Sequence, residues 1–307
     1  MKIPSITIKQ TALKNGFNLC GIAKPKTLPI EKKRFEKALS QNFHAQKIYL
    51  ERDIDKRFHP ELLLDNCKTI IVCGFNYNMQ KAEDRKQKAE DMRKISQYAQ
   101  IRDYHMFMKE KLEKLAQSLQ EEYGVFNYKI TADSSVISEK AWAVQAGIGY
   151  YGKNGIIQTA VGSFVFLGTL LIDKEVDEYD TPNTNACGEC DKCMAACPTK
   201  AIVAPYYVDC NQCITHITLD KKETDFTRIA QYGWLIACDV CQNVCPNNIN
   251  TPVNEDALAL RTSFMENKNE ILDTLTPKSF EQYFKGTVIY QFKYEGLMNR
   301  LRSSLVE

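Results

Sequence analysis

Nine of the chain's twelve cysteines fall between Cys187 and Cys245, and their spacing constrains the fold more than any other feature. Residues 187–198 read Cys-Gly-Glu-Cys-Asp-Lys-Cys-Met-Ala-Ala-Cys-Pro. This C-x2-C-x2-C-x3-C-P run is the bacterial ferredoxin rhythm for a 4Fe–4S cluster. Three thiolates at that spacing wrap one face of a cubane and reach three irons. The fourth serves the neighbouring cluster, and the proline turns the chain away. A second run, Cys238-Asp-Val-Cys-Gln-Asn-Val-Cys-Pro, lacks the cysteine that symmetry would place at Leu235. Cys213 or Cys210 can supply the missing thiolate. Two four-thiolate sets follow: Cys187, Cys190, Cys193 and Cys245, and Cys197, Cys238, Cys241 with either Cys213 or Cys210. Zinc also uses C-x2-C pairs, but a zinc ribbon has no use for further cysteines in this rhythm, followed twice by proline. Cys20, Cys67 and Cys73 sit in or beside apolar segments and read as inert core thiols.

The rest of the composition excludes more than it names. A chain of 307 residues, 44% hydrophobic and 25% charged, is ordinary globular protein and neither disordered nor fibrous as a whole. Its net charge of +2 lacks the strong basic excess of a dedicated nucleic-acid binder, although a local patch can hide in a neutral total. The N-terminus carries no apolar run of signal-peptide length, and nothing approaches the ~20 apolar residues of a membrane span. A cytoplasmic location without membrane attachment is expected. In a reducing compartment spaced cysteines bind metal more often than they pair.

Periodicity sets out the elements. Ile30–Phe43 and Tyr104–Tyr123 read as amphipathic helices, Thr69–Asn76 as a buried strand and Phe126–Thr131 as another strand. Lys81–Lys94, with mixed charges, reads as a solvated loop or helix face. Ser138 is placed to cap a helix running to Ala146, with Glu139 favourable in its first turn. Gly147, Gly149, Gly152 and Gly155 then break helical order. Ile156–Thr159 and Phe164–Ile172 read as strands paired with each other. The expected fold class is α+β: a mixed α/β, reductase-like domain over 1–178, a two-cluster ferredoxin-like domain over 179–250, and a short helical region over 251–307.

Two clusters that exchange a ligand cysteine make a wire for single electrons, and the first domain must hold what the wire serves. Physical pattern alone does not name it. There is no P-loop, and Gly147-Ile-Gly-Tyr-Tyr-Gly follows a helical pattern, where a dinucleotide fingerprint would follow a strand.

Several separated segments, however, resemble the epoxyqueuosine reductase family. They are Tyr49-Leu-Glu-Arg with Lys56-Arg57; Ile95-Ser-Gln-Tyr-Ala with Arg102-Asp-Tyr-His105; Ala132-Asp133-Ser-Ser-Val-Ile-Ser-Glu139-Lys140; and Ala146-Gly-Ile-Gly-Tyr-Tyr-Gly-Lys153-Asn154. The match continues through Cys197-Pro-Thr-Lys-Ala-Ile, Cys213-Ile-Thr, Phe284-Lys-Gly-Thr and Glu295-Gly-Leu-Met-Asn-Arg300. Val136, Tyr150 and Asn247 depart from the family's usual proline, tryptophan and tryptophan.

The resemblance implies a fold similar to cobalamin-handling reductases, with a HEAT-like helical tail, and selects Cys213 over Cys210. It implies cobalamin beside two 4Fe–4S clusters, and a tRNA whose epoxyqueuosine is reduced to queuosine with loss of the epoxide oxygen as water. Asp133 is the implied proton donor; near an apolar corrin face its carboxyl would suit an acid at neutral pH. Arg57, Ser96, His105, Asp133, Lys153, Asn154, Gln158, Gly168 and Thr215 are the implied cobalamin neighbours. Lys200, Lys221, Lys222, Arg300 and Arg302 are candidates for phosphate contacts. A monomer fed by an external single-electron donor such as flavodoxin or ferredoxin is expected. The competing readings are a ferredoxin-type electron-transfer module and a corrinoid enzyme like the reductive dehalogenases.

Overall fold

The computed structural model describes residues 2–86, 93–133, 135–223 and 225–303. It contains two compact units, neither continuous in sequence. The first comprises Met1–Asn76, His105–Cys190 and Pro205–Tyr207, and the second Tyr77–Tyr104, Asp191–Ala204 and Val208–Glu307.

The first unit is built on a four-stranded antiparallel sheet in the order Leu19–Ala23, Thr69–Asn76, Val165–Ile172, Tyr128–Thr131. Thr69–Asn76 is buried along its whole length, as its β-branched, apolar run requires of a central strand. Helices cover both faces. The helix Tyr104–Tyr123 buries Phe107, Met108, Leu112, Leu115, Ala116 and Leu119 at helical spacing, and Phe107 packs edge-on against Phe75 and Phe166. On the other face Ala141, Trp142 and Ala143 of the helix Glu139–Gln145 pack with Ile70, Val72 and Leu171.

Strand pairing departs from the sequence expectation. Ile157–Thr159 pairs with Gly149–Tyr151 and not with Val165–Ile172. The reason is a tight local turn: Gly152 N–H donates to Ile156 O, and Gly155, at φ +73°, donates to Gly152 O. That turn closes a hairpin and frees Val165–Ile172 to lie between two longer partners.

In the second unit Trp234–Ile236 runs parallel to Lys94–Ile95. Its core joins Ile95, Ile236, Phe264, Phe280, Phe284, Leu297 and Leu301. The end of the chain is helical, in short pieces: Glu255–Ala259, Lys268–Asp273, Pro277–Phe284 and Lys293–Ser303. A capping box between Thr276 and Ser279 starts the third of these.

In the charged stretch 81–94, Lys81, Glu83 and Asp84 are exposed as expected of a solvated face, and Arg85 is the exception. Arg85 is buried, and its guanidinium donates to Asn248 O, Asn78 Oδ1 and Gln80 O. Residues 87–92 of that stretch lie outside the described residues. Among the described residues no helix is long and apolar enough to cross a membrane.

Candidate active site

Asp133 follows the strand Tyr128–Thr131 and has φ +57°. Its carboxylate is exposed, and its Oδ2 lies 3.3 Å from Nε2 of half-buried His105, one residue into the helix Tyr104–Tyr123. The Asp133 amide donates to Glu139 Oε1 at 2.9 Å. Thr131 Oγ1 donates to the same oxygen at 2.9 Å and lies 2.8 Å from Thr169 Oγ1 on the central strand. Burial pushes the Glu139 carboxyl up to about 7; the Asp133 charge adds to the rise, while the hydrogen bonds and His105 oppose it.

Glu139 was legible from the sequence only as a first-turn acid. Its side chain reaches back over the loop instead, and Ser138, at the N-cap position, makes no side-chain cap. A carboxylate six residues after an aspartate and just inside a helix was the available signal.

Arg57 pins the other end of the same loop. Its guanidinium donates to Val136 O and Tyr49 O at 3.2 and 3.3 Å, and its carbonyl accepts from Ser138 N–H at 2.9 Å. It lies over the Phe35 ring, and burial lowers its pKa. Its Nε is buried without a partner.

Asn154 and Gln158 are buried around Gly152: a Cβ there would stand 2.7 Å from Asn154 Oδ1 and 2.6 Å from Gln158 Nε2. Asn154 Oδ1 accepts from Ile156 N–H. Lys153 is half-buried, and its carbonyl accepts from Tyr206 N–H. Gly168 lies on the central strand opposite Cys73. A Cβ at Gly168 would meet Leu112 Cδ1 at 2.8 Å and Thr131 O at 3.1 Å, so close helix–sheet packing alone requires glycine there. Seven of the nine residues carried over as cobalamin neighbours therefore belong to the first unit, and Ser96 and Thr215 to the second. Ser96 is buried and donates to Asp239 Oδ1 at 2.5 Å, while Gln97 N–H donates to Asp239 Oδ2. Thr215 Oγ1 donates to Cys238 O at 3.4 Å.

None of the twelve cysteines forms a disulfide. Cys197, Cys213, Cys238 and Cys241 belong to the second unit and feel one another electrostatically. Burial raises the Cys213, Cys238 and Cys241 thiols, and neighbouring members of the set add to the rise. Bare thiolates would be unstable in such a place, and iron bound there would remove that penalty. Of the other set, Cys187 and Cys190 belong to the first unit and Cys193 and Cys245 to the second. Among the described residues no three His, Cys, Asp or Glu side chains converge on the position of a single metal ion; a cubane sets its thiolates wider, one on each iron. Cys67 and Cys73 are buried and raised by burial, Cys67 to about 12, as core thiols should be, and half-buried Cys20 faces Cys73 across the sheet.

Arg300 is not available to a phosphate. It is buried, its guanidinium donates to Thr218 O, Gly296 O and Asp220 O, and it stacks on Phe226 and Phe292. Lys200 donates to Ala195 O and is exposed, as are Lys221, Lys222 and Arg302.

Comparison with known proteins finds relatives over nearly the whole chain. A family model described as "Epoxyqueuosine reductase QueG, DUF1730" matches residues 57–134, and a "4Fe-4S double cluster binding domain" matches residues 186–248. The epoxyqueuosine reductase of Cyclobacterium marinum is 34% identical over 299 residues, 96% of this chain and 94% of that protein. A crystal structure of epoxyqueuosine reductase with an epoxyqueuosine-modified tRNA-Tyr stem loop superposes with a TM-score of 0.80 at 25% identity, covering 97% of this chain and 79% of that one. A structure of the Bacillus subtilis enzyme, with its catalytic aspartate loop swung out of the active site, matches at TM-score 0.75 and 25% identity over 97% of this chain and 79% of its own.

Proposed function

Because this chain belongs to the epoxyqueuosine reductase family, we propose that it reduces epoxyqueuosine to queuosine at the wobble position of a tRNA anticodon. Opening an epoxide to an alkene consumes two electrons and two protons and releases the oxygen as water. Cys187, Cys190, Cys193 and Cys245 would hold one 4Fe–4S cluster, and Cys197, Cys213, Cys238 and Cys241 the other; such clusters would supply single-electron transfer from an external donor such as flavodoxin or ferredoxin. Cobalamin, when bound, supplies low-potential cobalt chemistry at the epoxide carbon.

The chain's own residues bind, orient and move protons. The exposed Asp133 Oδ2 lies 3.3 Å from His105 Nε2, an arrangement that suits an acid recharged by the imidazole. That contact is the observation carrying the reading. The buried, unpartnered Nε of Arg57 and the Lys153 ammonium suit the amide and phosphate oxygens of a corrinoid. Ser96, His105, Asn154, Gln158, Gly168 and Thr215 complete the proposed cobalamin surroundings. Lys221, Lys222 and Arg302 are proposed to meet tRNA phosphates. The protein acts as a cytoplasmic monomer.

The test is direct. Protein reconstituted with iron, sulfide and cobalamin is given a chemical reductant and tRNA bearing epoxyqueuosine, and the digested nucleosides are weighed. Loss of one oxygen from the modified nucleoside is expected. An unchanged nucleoside mass with both clusters and cobalamin in place would overturn the reading.

A further inference from the structure

Asp133 is constrained through its backbone as well as its side chain. Its φ of +57° lies in the left-handed region, which a residue with a Cβ adopts less readily than glycine and which its surroundings hold. The support is Glu139 Oε1, which accepts the Asp133 N–H at 2.9 Å. That oxygen is itself fixed. It accepts from Thr131 Oγ1, which meets Thr169 Oγ1, and both threonines are fully buried. Glu139 also begins a helix whose next turn, Ala141–Ala143, is core.

We propose that Glu139 is a positioning residue for the reaction: its carboxylate holds the Asp133 amide and so sets the Asp133 carboxyl beside His105. The inference rests on Asp133 being the proton donor.

A purely structural clasp would not use an acid here. Glutamine offers the same acceptor oxygen without placing a second negative charge beside Asp133. The charged groups facing Glu139 are Asp133 on the loop and His105 on the helix Tyr104–Tyr123; the strands contribute only the neutral threonines. An ionised carboxylate makes the stronger, charge-assisted bond to the amide. The clasp therefore tightens as pH rises through about 7, within the range where the enzyme must deliver protons. A stability cost kept at a catalytic loop is the expected mark of function.

The experiment compares holoenzyme with both clusters and cobalamin, wild type against Glu139→Gln and Glu139→Ala. Turnover of the epoxyqueuosine stem loop is followed between pH 5.5 and 8.5, together with hydrogen–deuterium exchange of the peptide containing Asp133. Losing a charge-assisted hydrogen bond should speed exchange of the Asp133 amide about tenfold and lower kcat about tenfold in Glu139→Ala, with KM within about twofold. Glu139→Gln should restore most of the protection and kcat but lose the inflection near pH 7. Wild-type exchange or wild-type kcat in Glu139→Ala overturns the inference, as does a Gln variant no better than Ala. Should the Ala variant fail to fold, Glu139→Gln decides alone, since an unaltered pH profile overturns the inference and a flattened one supports it. Asp133→Asn separates the two readings. Full activity in Asp133→Asn removes the proton donor itself, whereas an inactive Asp133→Asn beside a wild-type Glu139→Ala removes only the role of Glu139.

Discussion

His105 Nε2 and Asp133 Oδ2 stand 3.3 Å apart, joining the helix Tyr104–Tyr123 to the loop after the strand Tyr128–Thr131. In the proposed reaction this contact would give the Asp133 carboxyl a second proton partner besides solvent. Replacing Asp133 by Asn keeps size and polarity but removes the transferable proton. Loss of a positioned general acid costs ~10²–10⁴ in rate, so Asp133→Asn should lose at least about a hundredfold in turnover. Its iron content and cobalamin absorption spectrum should match wild type. Nucleoside mass spectrometry beside the visible spectrum checks both halves.

The raised Glu139 carboxyl has a sign that can be tested separately from activity. Its folded value of about 7 lies above the ordinary 4.5, so the folded protein holds this proton more tightly than the unfolded chain does. The associated stabilisation is complete below about pH 4.5 and is lost as pH rises to about 7, a cost of roughly 3 kcal/mol above that pH. Glutamine has no charge to bury. Glu139→Gln should therefore melt above wild type at pH 8 and show no such gain at pH 4.5. Paired thermal melts at the two pH values decide this, and an equal difference at both would contradict it.

The cysteine assignment separates two near neighbours in sequence. Cys213 raises the Cys238 and Cys241 thiols and is itself raised by Cys197, which fits the proposed second set. Cys213→Ser should lose one cluster and about half the bound iron, because a cubane missing one of four thiolates is readily lost. Cys210→Ser should keep wild-type iron. Iron and sulfide analysis of the purified variants distinguishes them, and the reverse pattern would move the ligand to Cys210.

Local pattern made much of this legible in the sequence. The helix Tyr104–Tyr123 shows in the spacing of its apolar residues, and the strand Thr69–Asn76 in its β-branched run. The ferredoxin-like segment shows in the cysteine intervals. What was hidden depends on partners distant in the chain. The apolar run at Val165–Ile172 marks a strand but does not say that its neighbours are Thr69–Asn76 and Tyr128–Thr131. Arg85 and Arg300 carry the signature of surface charge because composition cannot show carbonyl oxygens converging on them from loops far along the chain. Glu139 was missed for a related reason: its reach back to Asp133 passes through a left-handed residue, which leaves no periodicity to read.

Gly168 can be tested as a packing residue. The space a methyl would need is already taken by Leu112 Cδ1 at 2.8 Å, Thr131 O at 3.1 Å and Met108 Cε at 3.2 Å. The backbone oxygen cannot yield as a side chain can. Overpacking of this kind costs ~1–3 kcal/mol, and Gly168→Ala should lower the melting temperature accordingly. An unchanged melt would mean that the helix Tyr104–Tyr123 shifts without cost.

Arg300 and the exposed lysines should separate stability from tRNA affinity. The Arg300 guanidinium satisfies three backbone carbonyls and stacks 4.0 Å from the Phe292 ring centroid, and burial lowers its pKa to about 10. Arg300→Ala leaves the Thr218 and Asp220 carbonyls without the guanidinium's donors and opens a cavity, a loss of ~2–4 kcal/mol. The expected result is a lower melting temperature with the salt dependence of tRNA binding unchanged. Lys221→Ala and Lys222→Ala should do the opposite. Each removes one exposed charge, leaves the melt alone and reduces the slope of log affinity against log salt by about 0.7–0.9 if it meets a phosphate. Binding titrations at several salt concentrations measure the slope. An Arg300 variant that melts normally but has a reduced slope would return Arg300 to the tRNA surface.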